Sequence, residues 1–243
     1  MELKLIIHNI GFILSAVSTI TALFFLVLNN PRAKGHIPLA LTFLAVTIFI
    51  LSHVLGVNAI DPEVSRFILM FNLSILFIGM FNVHAVLSTL GKDREKWYIL
   101  CFLYSLGIIL VLWFMKYPHL FLESSTPKMY FPNYYVPGVL NWIRVVFLYG
   151  FCVAYMLYEL TISYLKEENV YRKRQLKYLT IAYAWGYLLG YIPNFLVYDV
   201  QIDPLWGMAF MVIFAALFLY AAIKYGLMNI KVVAKQASIY GLV

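Results

Sequence analysis

The sequence predicts an all-α fold, a polytopic membrane protein built as a bundle of seven transmembrane helices. Of the 243 residues, 63% are hydrophobic and only 12% are charged, with a mean hydropathy of +0.85. Soluble domains carry charge at about a quarter of their positions, so lipid must contact much of this surface. The apolar runs are continuous and do not alternate with polar residues, which argues against a membrane β-barrel.

Seven stretches are long enough to cross a hydrocarbon core about 30 Å thick. Each must be helical, because a strand outside a closed barrel would leave backbone groups unpaired in lipid. The predicted spans are residues 5–28, 37–55, 67–90, 97–114, 139–165, 176–197 and 205–223.

The basic residues predict the direction of the chain. Thirteen of the 18 Lys and Arg lie in the first, third and fifth connections and in the tail after the last span. Positive loops stay in the cytoplasm, so the N-terminus is expected outside and the C-terminus inside. Because these charges are divided among short loops, they indicate topology and not a nucleic-acid groove.

The connection between the fourth and fifth spans, residues 115–138, is the long one. It contains four prolines and six Tyr or Phe residues. Prolines at this density resist helix formation, and the aromatic rings need a surface to pack on. The segment is either a lid over the outer mouth of the bundle or a loop lying on the lipid headgroups.

Polar side chains are concentrated in the outer halves of the spans and predict a ligand site there. An ionisable group inside a span is costly and usually faces the bundle interior. Arg144 is the expected anion anchor, since its guanidinium can grip a carboxylate or phosphate with two hydrogen bonds; the alternative is that it reaches the outer headgroups. The candidate ligand-binding residues are Arg144, Asn194, His53, Asn72, Asn141 and Tyr191.

Other ionisable and thiol groups carry weaker signals. His84 and Glu159 lie toward the cytoplasmic side, where Glu159 is expected to reach the interface or pair with a lysine. Cys101 and Cys152 lie inside apolar runs without metal-ligand spacing. His8 and His53 share a level, as haem ligation on facing helices would need, but packing is the ordinary role of such residues. We expect no cofactor, no metal and no catalytic site.

The sixth span has the most regular pattern. Small residues recur every four positions through Gly186 and Gly190, which lets another helix approach closely. Pro193 removes a backbone hydrogen bond and can bend the helix. This pattern predicts a packing seam, or a helix that shifts when a ligand binds; Tyr225, after the last span, would continue the signal.

The last third of the chain resembles a known family. It reads Arg174-Gln175-Leu176, then Gly186-x-x-x-Gly190-x-x-x-Asn194-Phe195-Leu196, then Asp203-Pro204-Leu205-x-Gly207, and ends with Tyr225-Gly226-Leu227-Met228-Asn229-Ile230. This is similar to the N-terminal seven-transmembrane sensor region of bacterial sensor histidine kinases and related signalling proteins. Asn229 replaces the usual acidic residue, and Trp206 interrupts the usual Pro-Leu-Gly.

The resemblance implies a sensor domain over residues 1–230 and an exit segment over 231–243, which we expect to be truncated before an output module. It implies a bacterial cytoplasmic (inner) membrane location, a small-molecule or lipid-derived ligand at the outer side, a cytoplasmic kinase or cyclase output or a partner protein, and a homodimer. The chain itself would not be an enzyme. The alternative is a small multi-pass transporter or channel subunit, which would need polar groups along the whole path.

Overall fold

The structure, a computed structural model, describes residues 2–29 and 35–207. Most of this part of the chain is helical, as the continuous apolar runs predict. The elements are α1 (Glu2–Asn29), α2 (His36–Asn58), α3 (Pro62–Leu69), a 3-10 turn (Met70–Leu73), α4 (Ser74–Leu90), α5 (Trp97–Lys116), α6 (Pro118–Phe121), β1 (Leu122–Lys128), β2 (Phe131–Pro137), α7 (Trp142–Val145), a π-helical segment (Val146–Val153), α8 (Ala154–Lys166), α9 (Val170–Gly190), α10 (Ile192–Val197) and a 3-10 turn (Pro204–Gly207).

Five helical segments within the described residues are long and apolar enough to cross a membrane. They correspond to the first five predicted spans, and they are Leu3–Thr21, His36–Asn58, Pro62–Leu90, Trp97–Lys116 and Trp142–Lys166. The third begins five residues before the predicted residue 67, because the Asp61 carboxylate accepts hydrogen bonds from the Glu63 and Val64 amides and caps the helix there.

The sixth predicted span is present as α9 and α10, and it begins at Val170, not at residue 176. The Asn169 side chain caps this helix by accepting hydrogen bonds from the amides of Tyr171 and Arg172. The first turns therefore include the basic residues that the sequence analysis had placed in a loop. Of the seventh predicted span, 205–223, only residues 205–207 are described; the rest and Tyr225 lie outside the described residues.

The all-α expectation is wrong for the connection between α5 and α7. Strands β1 and β2 form an antiparallel hairpin in which Ser125 pairs with Tyr135 and Thr126 with Tyr134. A two-stranded sheet has only edge strands, so it tolerates the prolines that exclude a helix. Its aromatic residues pack into the helical core, where Tyr134 is 1% exposed. The segment therefore covers one end of the bundle and does not lie on the headgroups as a separate loop.

Two irregularities lie in the helices next to this hairpin. The fifth membrane-crossing segment is π-helical from Val146 to Val153, directly after the turn that carries Arg144. The sixth helix is interrupted at Tyr191, two residues before Pro193. A Cβ atom added to Gly207 would lie 2.9 Å from the Pro193 ring, so the chain after α10 returns tightly against the bend. π-helical segments and proline bends often mark functional sites.

Candidate functional site beneath the hairpin

Arg144 lies inside the bundle and not at its surface. Its side chain comes from α7, and the residue is 5% exposed. One terminal nitrogen, Nη2, donates hydrogen bonds to Asn194 Oδ1 at 2.8 Å and to Asn141 Oδ1 at 3.2 Å. The guanidinium carbon lies 6.0 Å from the centre of the Tyr135 ring. The guanidinium therefore does not reach outward as a headgroup-seeking side chain would.

The charge of Arg144 has no acidic partner within the described residues. The salt bridges there include none to Arg144, and the nearby acids are paired elsewhere: Asp199 with Lys128 at 2.7 Å and Asp203 with Lys4 at 2.9 Å. Its Nε atom is buried and has no hydrogen-bond partner. Neutral amide oxygens satisfy only part of a guanidinium, and an isolated buried charge is costly. Within the described residues the guanidinium is therefore buried without a counter-charge.

Asn141 connects this cation to the hairpin. Its amide nitrogen donates to the Phe121 carbonyl at 2.9 Å and to the Tyr135 hydroxyl at 2.6 Å. Its amide oxygen accepts from Arg144 and, at 2.9 Å, from the Tyr198 hydroxyl. Every polar atom of a fully buried amide is therefore used. Asn141 orients Arg144 and joins it to the segment that covers it.

The hairpin is also tied directly to the bent sixth helix. The Tyr134 hydroxyl donates to the carbonyl of Pro193 at 3.0 Å. The Lys128 ammonium donates to the carbonyls of Leu196 and Val197 at 3.2 and 3.1 Å, at the end of α10. The hairpin is therefore attached to both ends of α10, the short helix that follows the break at Tyr191.

Asp203 forms a second attachment between the hairpin and the helices. It accepts hydrogen bonds from Lys4 at 2.9 Å and from the Tyr130 hydroxyl at 2.8 Å. Burial alone would raise the pKa of Asp203, but the hydrogen bonds from Lys4, the Leu205 amide and Tyr130 outweigh it and lower that pKa. The carboxylate is consequently held in its charged form.

The structure brings four of the predicted ligand residues near one another and separates two. Arg144, Asn141 and Asn194 share one network, and Tyr191 packs edge-on against Phe195 on the same bend, with ring centres 5.2 Å apart. Asn72 instead accepts a hydrogen bond from Ser52 at 2.7 Å. His53 lies in an aromatic group with His8, 5.4 Å away between ring centres. No finding tests ligand binding by these residues.

The predicted packing residues of the sixth helix have mixed surroundings. Gly186 is buried and Gly190 is half-buried. The helix expected to pack along this stripe was not specified by the sequence, and most of the seventh predicted span lies outside the described residues. Toward the opposite end, Glu159 pairs with Lys92 at 2.7 Å, which confirms the expected lysine partner. His84 contacts the Tyr104 hydroxyl at 2.9 Å.

Sequence reasoning missed the tyrosines that complete these networks and one amide in the middle of a span. Tyr135 and Tyr198 form hydrogen bonds with Asn141. The partner of a tyrosine hydroxyl cannot be inferred from residue spacing in the sequence. Asn82 donates to the Tyr187 hydroxyl at 2.6 Å and joins α4 to the sixth helix. A mid-span amide needs a partner in lipid, so Asn82 could have been found by that signal.

The comparison with known families decides the identity of this bundle. The family described as the N-terminal 7TM region of histidine kinase matches residues 11–231, most of the chain. The chain belongs to this family. The resemblance inferred from the last third is confirmed and extends through the first five spans as well. No curated protein and no solved structure matches the chain.

Membership in the histidine kinase 7TM family accounts for the apolar helices and the lack of a catalytic motif. The family is a non-catalytic membrane region of histidine kinases, which favours sensing over catalysis as the role of the polar networks. The Arg144 network is the one that joins a buried, unpaired cation to a bent helix, and it is the candidate site of the family member described here.

Proposed function

We propose that this domain is a receptor in which a small anionic ligand from the outer side binds Arg144, and that binding changes the bend of the sixth helix. The observation that carries the proposal is the guanidinium itself: it is 5% exposed, its Nε has no partner, and no carboxylate opposes it within the described residues. An incoming carboxylate or phosphate could accept two hydrogen bonds from it.

The same contacts supply a route for the signal. Arg144 holds Asn194, which is adjacent to Pro193, and the hairpin holds the Pro193 carbonyl through Tyr134. An anion that takes over the Arg144 hydrogen bond releases Asn194 from one arrangement and favours another. A ligand shifts the balance only by the difference in its affinity for the two arrangements, so the outward-facing anion and the bend must be energetically coupled.

We place the N-terminus and the hairpin outside the cell and the basic turns in the cytoplasm, because thirteen of the 18 Lys and Arg would then follow the positive-inside rule. The signal would leave through the seventh span and Tyr225 to a cytoplasmic kinase or cyclase module, in a homodimer in the bacterial inner membrane. The family match supports a histidine kinase output among these partners.

Stimulated autophosphorylation of the full-length receptor tests the function. Arg144→Gln should abolish the response, Arg144→Lys should keep part of it through the retained charge, and Asn194→Ala should uncouple it. Lys116→Gln, at an exposed position at the end of α5, is the matched control and should respond normally. A normal response from Arg144→Gln would refute the assignment of the site.

Thermal unfolding of the purified protein tests the ligand class. Acetate, succinate and inorganic phosphate are the probes, and choline is the cationic control. A ligand at 100 times its dissociation constant stabilises the folded state by about 2.7 kcal/mol. At least one anion should raise the unfolding temperature of the unsubstituted protein and fail to do so for Arg144→Gln. Stabilisation of both proteins alike would place the anion elsewhere.

A further inference from the structure

A second group of polar atoms without partners lies between α1 and α2, beneath strand β2. His8 is fully buried and His53 is 6% exposed, and the Nε2 atom of each has no hydrogen-bond partner. Their ring centres are 5.4 Å apart. A buried polar atom without a partner destabilises the folded state, so two in adjacent rings call for a common explanation.

Neighbouring amides favour the form of His8 that can bind a metal ion. His8 Nδ1 lies 3.4 Å from Asn9 Oδ1, and Asn9 exchanges two 2.9 Å hydrogen bonds with Asn58. A proton on Nδ1 directed at Asn9 leaves Nε2 with a free lone pair. Fixing an imidazole through its other nitrogen is how metal-binding histidines are commonly oriented.

The residues around His8 and His53 are aromatic. Phe12 stacks on His8 with ring centres 4.4 Å apart, Phe131 meets His8 edge-on at 4.8 Å, and Tyr134 meets His53 edge-on at 5.7 Å. These rings make the surroundings of the two histidines apolar. No cluster of three or more His, Cys, Asp or Glu with the geometry to hold a metal occurs in residues 2–29 and 35–207.

These observations select the charge and coordination number of the ion. Zinc in proteins takes four ligands or three plus water, which this pair does not provide. The desolvation energy of an ion rises with the square of its charge, so a divalent ion would cost about four times as much as a monovalent one in this apolar space. A soft monovalent ion that accepts two ligands fits both limits.

We propose that His8 and His53 form a two-coordinate site for a soft monovalent metal ion of the Cu(I) or Ag(I) class. Metal–nitrogen bonds of about 2 Å would place the two Nε2 atoms about 4 Å apart across the ion and the ring centres about 6 Å apart, so the rings, 5.4 Å apart between centres in the structure, would separate slightly on binding. Both imidazoles bind as neutral donors. The site stands on its own geometry and does not depend on the receptor function.

The test measures Ag(I) and, without oxygen, Cu(I) binding by the whole chain in lipid nanodiscs. Cys101 and Cys152 are free thiols, so Cys101→Ser and Cys152→Ala form the background. One ion should bind per chain; His8→Gln and His53→Gln should each lower the affinity about 100-fold, and Asn9→Leu roughly 10-fold. His84→Gln and His119→Gln are matched controls and should bind as the background does.

X-ray absorption of the Cu(I)-loaded protein with both histidines intact keeps the test independent of variant folding. Two nitrogen neighbours and no sulfur are expected. Sulfur in the coordination sphere would assign the ion to methionine residues, and equal binding by the His8 and His53 variants, or no binding by the background protein, would overturn the proposal. None of these results depends on whether Arg144 binds an anion.

Discussion

Buried charged groups at the two ends of the bundle have opposite surroundings. At the end opposite the hairpin, Lys92 donates to Glu159 at 2.7 Å and to Ser163 at 3.0 Å, and Tyr155 donates to the other Glu159 oxygen at 3.0 Å. Beneath the hairpin, the partners of Arg144 among the described residues are neutral, and its buried Nε has no hydrogen bond. The first group has its counter-charge within the fold, whereas the second has none in the part of the chain that the structure describes.

This difference teaches which polar groups stabilise the fold and which are available for binding. A buried ion pair whose hydrogen bonds are satisfied is expensive to break, because removing one partner leaves the other charge buried. Removing the charge of a buried cation that is already unpaired should cost the protein little stability. Substitutions at the two ends should therefore change the free energy of unfolding by different amounts, and measuring these changes tests the comparison.

The largest effect is expected for Glu159→Ala, which leaves Lys92 without its partner. We expect a loss of about 3 kcal/mol in the free energy of unfolding, measured by denaturant unfolding in mixed micelles. The exposed pair of Glu95 and Lys96, 3.4 Å apart, supplies the control, and Glu95→Ala should cost less than about 0.5 kcal/mol. Equal losses would show that the Glu159 pair is not structural.

A smaller effect is expected for Tyr134→Phe, which removes the hydrogen bond between the hairpin and the Pro193 carbonyl. The loss should be about 1 kcal/mol, and the amides of β1 and β2 should exchange hydrogen faster while those of α4 do not. Tyr117→Phe, which removes an exposed hydroxyl just outside the hairpin, is the control. Unchanged exchange in the hairpin would mean that this contact does not hold the lid.

Asp203 should add a modest pH dependence. Its pKa is lowered in the folded protein, so its contribution is fully present above the unfolded value of 3.8 and is lost as the pH falls through the lower folded value. Asp203→Asn should thus be less stable than the unsubstituted protein by about 0.5 kcal/mol at pH 6. The difference should shrink as the pH falls below 3.8 and disappear once the pH is below the lowered folded pKa. A constant difference at all pH values would contradict this role.

The smallest effect on stability is expected for Arg144→Met. Relief of the buried charge offsets the lost hydrogen bonds to Asn194 and Asn141, so the free energy of unfolding should change by less than about 0.5 kcal/mol. The same variant should lose the response to anions. A loss as large as that of Glu159→Ala would place Arg144 among the structural residues and remove the contrast between the two ends.

Much of the architecture was predictable because the thickness of the bilayer sets the length of a helix that crosses it, and lipid requires that helix to be apolar. The first five spans follow from run length, and the Glu159 partnership follows from the cost of an unpaired acid near a basic turn. The hairpin was not predictable as such: prolines in residues 115–138 excluded a helix, but strand pairing depends on which residues the bundle brings opposite each other.

The candidate site was predictable by residue type and depth, and less so by partnership. Arg144, Asn141 and Asn194 were recognised as polar groups at one level, and the structure joins them. Asn72 was at the same level but bonds to Ser52 on the neighbouring helix. Depth along a helix is readable from sequence, whereas the rotational facing that separates these residues depends on packing.

The amino-acid sequence by itself determined that the chain enters a membrane, that its spans are helices, and to which family it belongs. These follow from hydropathy, the need to satisfy backbone groups in lipid, and local motifs. The tertiary structure decided that the hairpin covers the bundle, that Arg144 has no acidic partner among the described residues, and that His8 and His53 lie side by side with their Nε2 atoms unpaired. Those features depend on side chains distant in sequence, whose relative positions only the folded packing defines.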